Sequence, residues 1–185
     1  MVAYFQLQPA ATEMQHLAEQ YWRETGEREH ELEAAAYEAG SAIRNGEFTL
    51  ANLETIVRWK SERVVHFLIA NSNESIHAAL ATVVAPATKP EAAVEALIGL
   101  RGIDIAIASS ILAAIFPERY AVLDFRALEA LGHARHDVGF YTEYNHFIQR
   151  LVETGMVQPQ PDLPGPTPLH AAERALWQWS LEHNH

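Results

Sequence analysis

The chain has 185 residues, no cysteine, and a formal net charge of −11. Its 49% hydrophobic and 20% charged content is that of a folded protein, so one domain over 1–185 is expected, and the missing cysteine excludes disulfides, thiolate nucleophiles, cysteine zinc sites and cysteine-held iron–sulfur clusters. The acidity counts against a broad nucleic-acid surface, whose affinity comes from Lys and Arg neutralising phosphates, and no run approaches the ~18 apolar residues of a membrane span.

The charge is unevenly spread. Residues 1–40 hold eight Glu against Arg23 and Arg28, whereas 41–135 hold nine basic and ten acidic residues, so a locally basic face on the middle segment is still available. The N-terminus lacks a basic region followed by an apolar run, and a cytoplasmic location with no membrane partner is the default expectation.

In chain order, the acidic segment 1–45 should be helical over 12–45, broken near Thr25-Gly26, because Glu and Ala favour helix and glycine interrupts it. After Gly46, Thr49 is the expected N-cap of a helix whose apolar stripe runs through Leu53, Ile56, Val57, Val64, Phe67 and Leu68 to a stop at Asn71-Ser72-Asn73. Helix returns over 74–85, stops at Pro86 and Pro90, and resumes to Leu100, where Arg101-Gly102 makes a tight break. The next helix, 104–116, is apolar nearly all round and should be central. Another opens after Asp124 and ends at Gly132; further helices cover 139–155 and 169–182, joined by a Pro-rich loop, 159–168. No β-alternation or internal repeat is visible, so the expected fold class is all-α, an orthogonally packed helical bundle.

Leu97 to Gly132 reads LIGLRGIDIAIASSILAAIFPERYAVLDFRALEALG. An L-x-G-[VI] turn between two helices, an A-S-x-[IV]-L-type helix, a short loop with Pro, and an aspartate opening the next helix resemble the helix-hairpin-helix superfamily of DNA glycosylases, including its endonuclease III and 8-oxoguanine glycosylase branches. About a fifth of the chain carries the resemblance. It implies that backbone N–H groups around Gly102 hold a DNA phosphate, and that Asp124 stabilises the cationic sugar as a base departs. Asp124 is equally suited to cap the helix that it opens.

Two departures narrow what the resemblance implies. The second glycine of the family's hairpin is replaced, giving Gly102-Ile103-Asp104, and Asp104 puts a negative charge where phosphate should sit; its simplest role is as a helix cap. The family's lyase lysine lies in or just before the hairpin, where this chain has Ala106 and Glu95, so the activity implied is at most monofunctional and water-dependent.

Taking ~100° per residue, Lys60 falls within the apolar stripe of its helix. Its ammonium should snorkel to the rim; the alternative is partial burial beside a carboxylate. Arg58, Trp59, Lys60 and Arg63 form the densest basic run, R-W-K-S-E-R, which fits either an anionic ligand with base stacking or an ordinary solvated helix face. Arg126 is a further candidate anion contact.

His133, His136 and Asp137 spell H-x-x-H-D, which loosely resembles the His-Asp pair of HD-type phosphohydrolases; ten histidines in one chain make such spacings common, and neither a metal nor another cofactor is expected. Trp177 and Trp179 are expected to pack in the core or across a homodimer contact. Phosphate-binding-loop, nucleophile-elbow and H-E-x-x-H motifs are absent. The expected function is that of a DNA glycosylase-like protein, cleaving an N-glycosidic bond or binding DNA. The alternatives are a non-catalytic binding module of the same fold and, more distantly, a metal-dependent phosphohydrolase.

Overall fold

Ala-, Leu- and Glu-rich stretches punctuated by Gly, Pro and Ser become helices joined by short turns in the computed structural model, which describes residues 5–133, 138–159 and 167–184. The helices are α1 (Met14–Glu24), α2 (Glu27–Arg44), α3 (Leu50–Lys60), α4 (Val65–Leu68), α5 (Asn73–Val84), α6 (Pro90–Ile98), α7 (Ile105–Ile115), α8 (Phe125–Glu129), α9 (Val138–Glu153) and α10 (Pro168–His183). The described residues contain no strand, so the all-α class expected from the sequence is the class observed, and no described helix is long and apolar enough to cross a membrane. Most of the Pro-rich loop, together with His136 and Asp137, lies outside the described residues.

Polar caps set the boundaries. Thr49, Ser72, Asp104, Asp124 and Thr167 each place a side-chain oxygen on a backbone N–H of the first helical turn, and Pro stands at the start of α6 and α10. Asp104 accepts from the Ile107 N–H at 2.8 Å, so it caps α7.

One expectation fails. The helix after Gly46 does not run unbroken to Asn71; it ends at Lys60, Ser61 is extended, and a short 3₁₀ turn at Glu62–Val64 leads into α4. The cause is a tertiary contact. The α6–α7 turn packs on this segment so closely that a Cβ on Gly102 would lie 2.9 Å from Phe67 Cβ and 3.0 Å from the Val64 carbonyl oxygen. Gly102 also has φ +84°, which glycine adopts without strain. Asn71 locks the arrangement by accepting from the Arg101 N–H at 2.9 Å and donating to the Arg101 and Leu68 carbonyls. The redirected chain buries Val65 and Leu68 and leaves Phe67 exposed, contrary to the single stripe.

Two helices organise the core. Every residue of α7 from Ile107 to Ile115 is buried, and α7 packs on α2, α3, α6 and α9; α10 packs on α1, α8 and α9. The α2–α7 crossing depends on Gly40, where a Cβ would stand 2.1 Å from the Ala114 carbonyl oxygen. Arg44, one turn on, donates to the Ile115 carbonyl at 2.9 Å and complements the C-terminal end of α7. Replacing Gly40 with Ala forces these backbones apart and is expected to cost roughly 1–3 kcal/mol in urea unfolding, as overpacking does, despite the better helix propensity of alanine. Unchanged or increased stability would contradict the close crossing.

Candidate functional site

Between α7 and α8 a turn at 117–119 leads into a buried non-helical stretch, 120–123, and side chains hold most of the peptide groups along it. The Arg119 carbonyl accepts from Asn145 and Gln149, each at 2.9 Å. The Ala121 N–H donates to Asn145 Oδ1 at 2.8 Å and its carbonyl accepts from the Tyr141 hydroxyl at 3.1 Å. The Val122 N–H donates to Glu173, its carbonyl accepts from Tyr144 at 2.9 Å, and the Leu123 N–H donates to Ser109 Oγ at 2.8 Å. Buried backbone must find such partners, and here side chains of α7, α9 and α10 supply these.

That segment delivers Asp124 to the start of α8. One carboxylate oxygen caps the helix by accepting from the Arg126 N–H at 2.9 Å, and the other accepts from Lys60 Nζ at 2.6 Å. The side chains of Lys60 and Asp124 are 18% and 22% exposed. The lysine therefore does not snorkel away from the apolar face; it is partly buried against a carboxylate, because Asp124 is brought to the end of α3 by the clamped segment. The sequence could not show this, since the partners are 64 residues apart.

Lys60 and Asp124 border a cavity of about 190 Å³. Its walls include Trp59, Tyr21 and Trp177, with Val122 and Ala127 adding apolar surface and His170, Glu173 and Arg174 adding charge. Tyr21 and Trp177 meet edge to face, with ring centroids 5.2 Å apart. A cavity of roughly 150 Å³ holds a benzene ring, so this space is on the scale of one planar heterocycle.

Behind it lies a buried charge network. His170 is held between carboxylates, with Nε2 against Glu33 and Nδ1 against Glu173, and Arg174 also bonds Glu33. All four residues are at most 7% exposed. With the ring protonated, two cations face two anions and the group is neutral. Burial and the Arg174 charge work against the imidazolium, but Glu173 and Glu33 outweigh them and raise the His170 pKa above its ordinary 6.5. For Glu33 burial opposes ionisation, yet His170 and Arg174 leave its pKa below the ordinary 4.5. Burial, then Glu33, pushes the Tyr21 hydroxyl up to about 12, so it stays protonated beside the network. The buried Tyr37 hydroxyl has no hydrogen-bond partner among the described residues; its ring packs 5.4 Å from His170 and 5.7 Å from Trp59.

The residues singled out from the sequence therefore divide. Trp59, Lys60 and Asp124 meet in the cavity, and the Arg126 guanidinium lies 5.4 Å from the ring of its wall residue Trp177. Arg58 is exposed and engaged by Glu54 and Glu62, as on an ordinary helix face, and Arg63 is exposed. Gly102 backs onto α4. Trp177, expected in the core or at a dimer contact, lines the cavity instead, while the partly buried Trp179 does pack on the core. Glu33, His170, Glu173 and Arg174 were not anticipated; the one signal was H-x-x-E-R inside an apolar helix stretch, where eight consecutive residues, Leu169 to Leu176, are buried. Among the described residues no group of three or more His, Asp or Glu is arranged to hold a metal ion. No protein-family model, curated protein or solved structure matches the chain.

The network ties stability to pH with a definite sign. Because the His170 pKa is raised on folding, its contribution is complete below the unfolded value of 6.5 and is lost as pH rises through the folded value; the Glu33 contribution is present above 4.5 and lost as pH falls through its lowered folded value. Thermal melts are expected to show Tm falling as pH rises above about 6.5, with that decline absent in His170→Gln. A decline of equal slope in the variant would contradict the network's assignment.

Proposed function

We propose that the chain is a DNA glycosylase-like protein of helix-hairpin-helix type, taking an extruded nucleobase into the 190 Å³ cavity and cleaving its N-glycosidic bond with water. The observation that carries the reading is the position of Asp124. The family-like segment carries this aspartate, and its carboxylate stands at the border of an aromatic-walled cavity with Lys60 beside it.

In this reading the base enters beside Trp59, Tyr21 and Trp177 while the sugar lies near Asp124. The C1′–N bond breaks with its electron pair leaving on the base, and the carboxylate stabilises the cationic sugar. A water oxygen then bonds C1′, Asp124 accepts the released proton, and that proton ends on the departed base. Lys60 orients the carboxylate and, with Arg126, offers positive charge to a phosphate. The net charge of −11 does not prevent this, since eight of the Glu residues fall within residues 1–40.

A second reading, a binding module without chemistry, is favoured by the way Asp124 is engaged on both oxygens, by the Arg126 N–H and by Lys60. One experiment separates the two. Binding of a duplex carrying an abasic-site analogue is measured over a salt series, alongside release of free base from damaged duplexes. The proposal expects salt-sensitive binding, a Lys60→Ala variant whose salt slope falls by about one, and base release lost in Asp124→Asn with binding retained. Binding without base release supports the module. No binding at low salt, of the duplex or of the same strand unpaired, overturns the DNA reading.

A further inference from the structure

Phe125, the residue after Asp124, is 55% exposed although it sits at the first turn of α8 next to the cavity. A large apolar ring left half in water at this point is not required by the fold, because the inward face of α8 is made by Ala127 and Leu128, both buried. The ring belongs to a series. The Arg126 guanidinium lies 5.2 Å from the Phe125 ring centroid and 5.4 Å from that of Trp177, and Trp177 in turn lines the cavity. Aromatic, cation and aromatic thus follow one another from the cavity wall outward, ending on a ring with an open surface.

We infer that Phe125 is a stacking platform for the nucleobase that flanks the one held in the cavity, so that the ligand is an unpaired stretch of at least two nucleotides. The inference rests on the function proposed above and names its substrate class. A base in a paired duplex has both faces occupied by its neighbours, so only a flank released from the stack can lie on Phe125. Stacking on an aromatic ring accepts any base, and the cation held beneath the ring suits the phosphate that links the two nucleotides. The order of parts matches the order along a strand: cavity, Asp124 at the sugar, then Arg126 and Phe125 at the next phosphate and base. The platform therefore adds affinity without reading sequence.

The test compares two probes, a single-stranded pentanucleotide of deoxyadenylate and the mononucleotide dAMP, on wild type, Phe125→Ala, Phe125→Trp and Trp59→Ala. Because Phe125 is exposed, its variants are expected to fold; unchanged helical circular dichroism and Tm check this. Phe125→Ala should weaken pentanucleotide binding by about 5- to 150-fold, the loss of one base–aromatic stack, while Phe125→Trp keeps it and dAMP binding does not change. Equal affinities of wild type and Phe125→Ala for the pentanucleotide, with Trp59→Ala still damaging, would overturn the platform and leave the cavity reading standing. An equal loss for both probes would overturn it too, by placing Phe125 within the cavity's own binding. If wild type binds neither probe at low salt, the nucleotide reading falls and the platform falls with it.

Discussion

The structure depends on a non-helical stretch, residues 120–123, buried in the interior among helices. Any chain so buried must satisfy its peptide groups, and a helical protein has no ladder to offer. Here the partners are side chains: Ser109 from α7, Tyr141, Tyr144, Asn145 and Gln149 from α9, and Glu173 from α10. Three helices are thereby tied to one segment, and the place of Asp124 at the end of that segment follows from all of them together.

Charge is arranged around this same constraint. Glu173 serves the Val122 N–H with one oxygen and His170 with the other, so the buried network and the backbone clamp share a residue. Replacing such a network with apolar side chains is often neutral or stabilising elsewhere, which makes its presence beside a cavity more telling than its contribution to stability. The cavity border then adds a second pair, Lys60 and Asp124, from helices far apart in sequence. The result is a polar, internally balanced pocket with aromatic walls, in a protein whose overall charge is strongly negative.

How much of this is legible in the sequence differs by element. Helix positions and the burial of α7 follow from caps, Pro, Gly and apolar content, all of which are local. Asp124 and Asp104 as caps are readable for the same reason. The break at Ser61 is not, because it is imposed by the α6–α7 turn seated on the segment 64–68, a contact between distant parts of the chain. Lys60 stands out in its stripe, but its partner does not. Glu173 lies one turn from His170 on α10, but Glu33 looks like an ordinary helix-favouring residue, and only the three-dimensional meeting of α2 with α10 makes it a neighbour of His170. Trp177 reads as core for want of any sign that a space lies beside it.

The most direct test of this account is native-state amide hydrogen exchange at Ala121, Val122 and Leu123. If side chains carry the segment as described, these three amides exchange only through global unfolding, as slowly as the central amides of α7. Exchange at rates typical of an exposed loop would mean that the segment is not clamped, and the position of Asp124 would lose its basis.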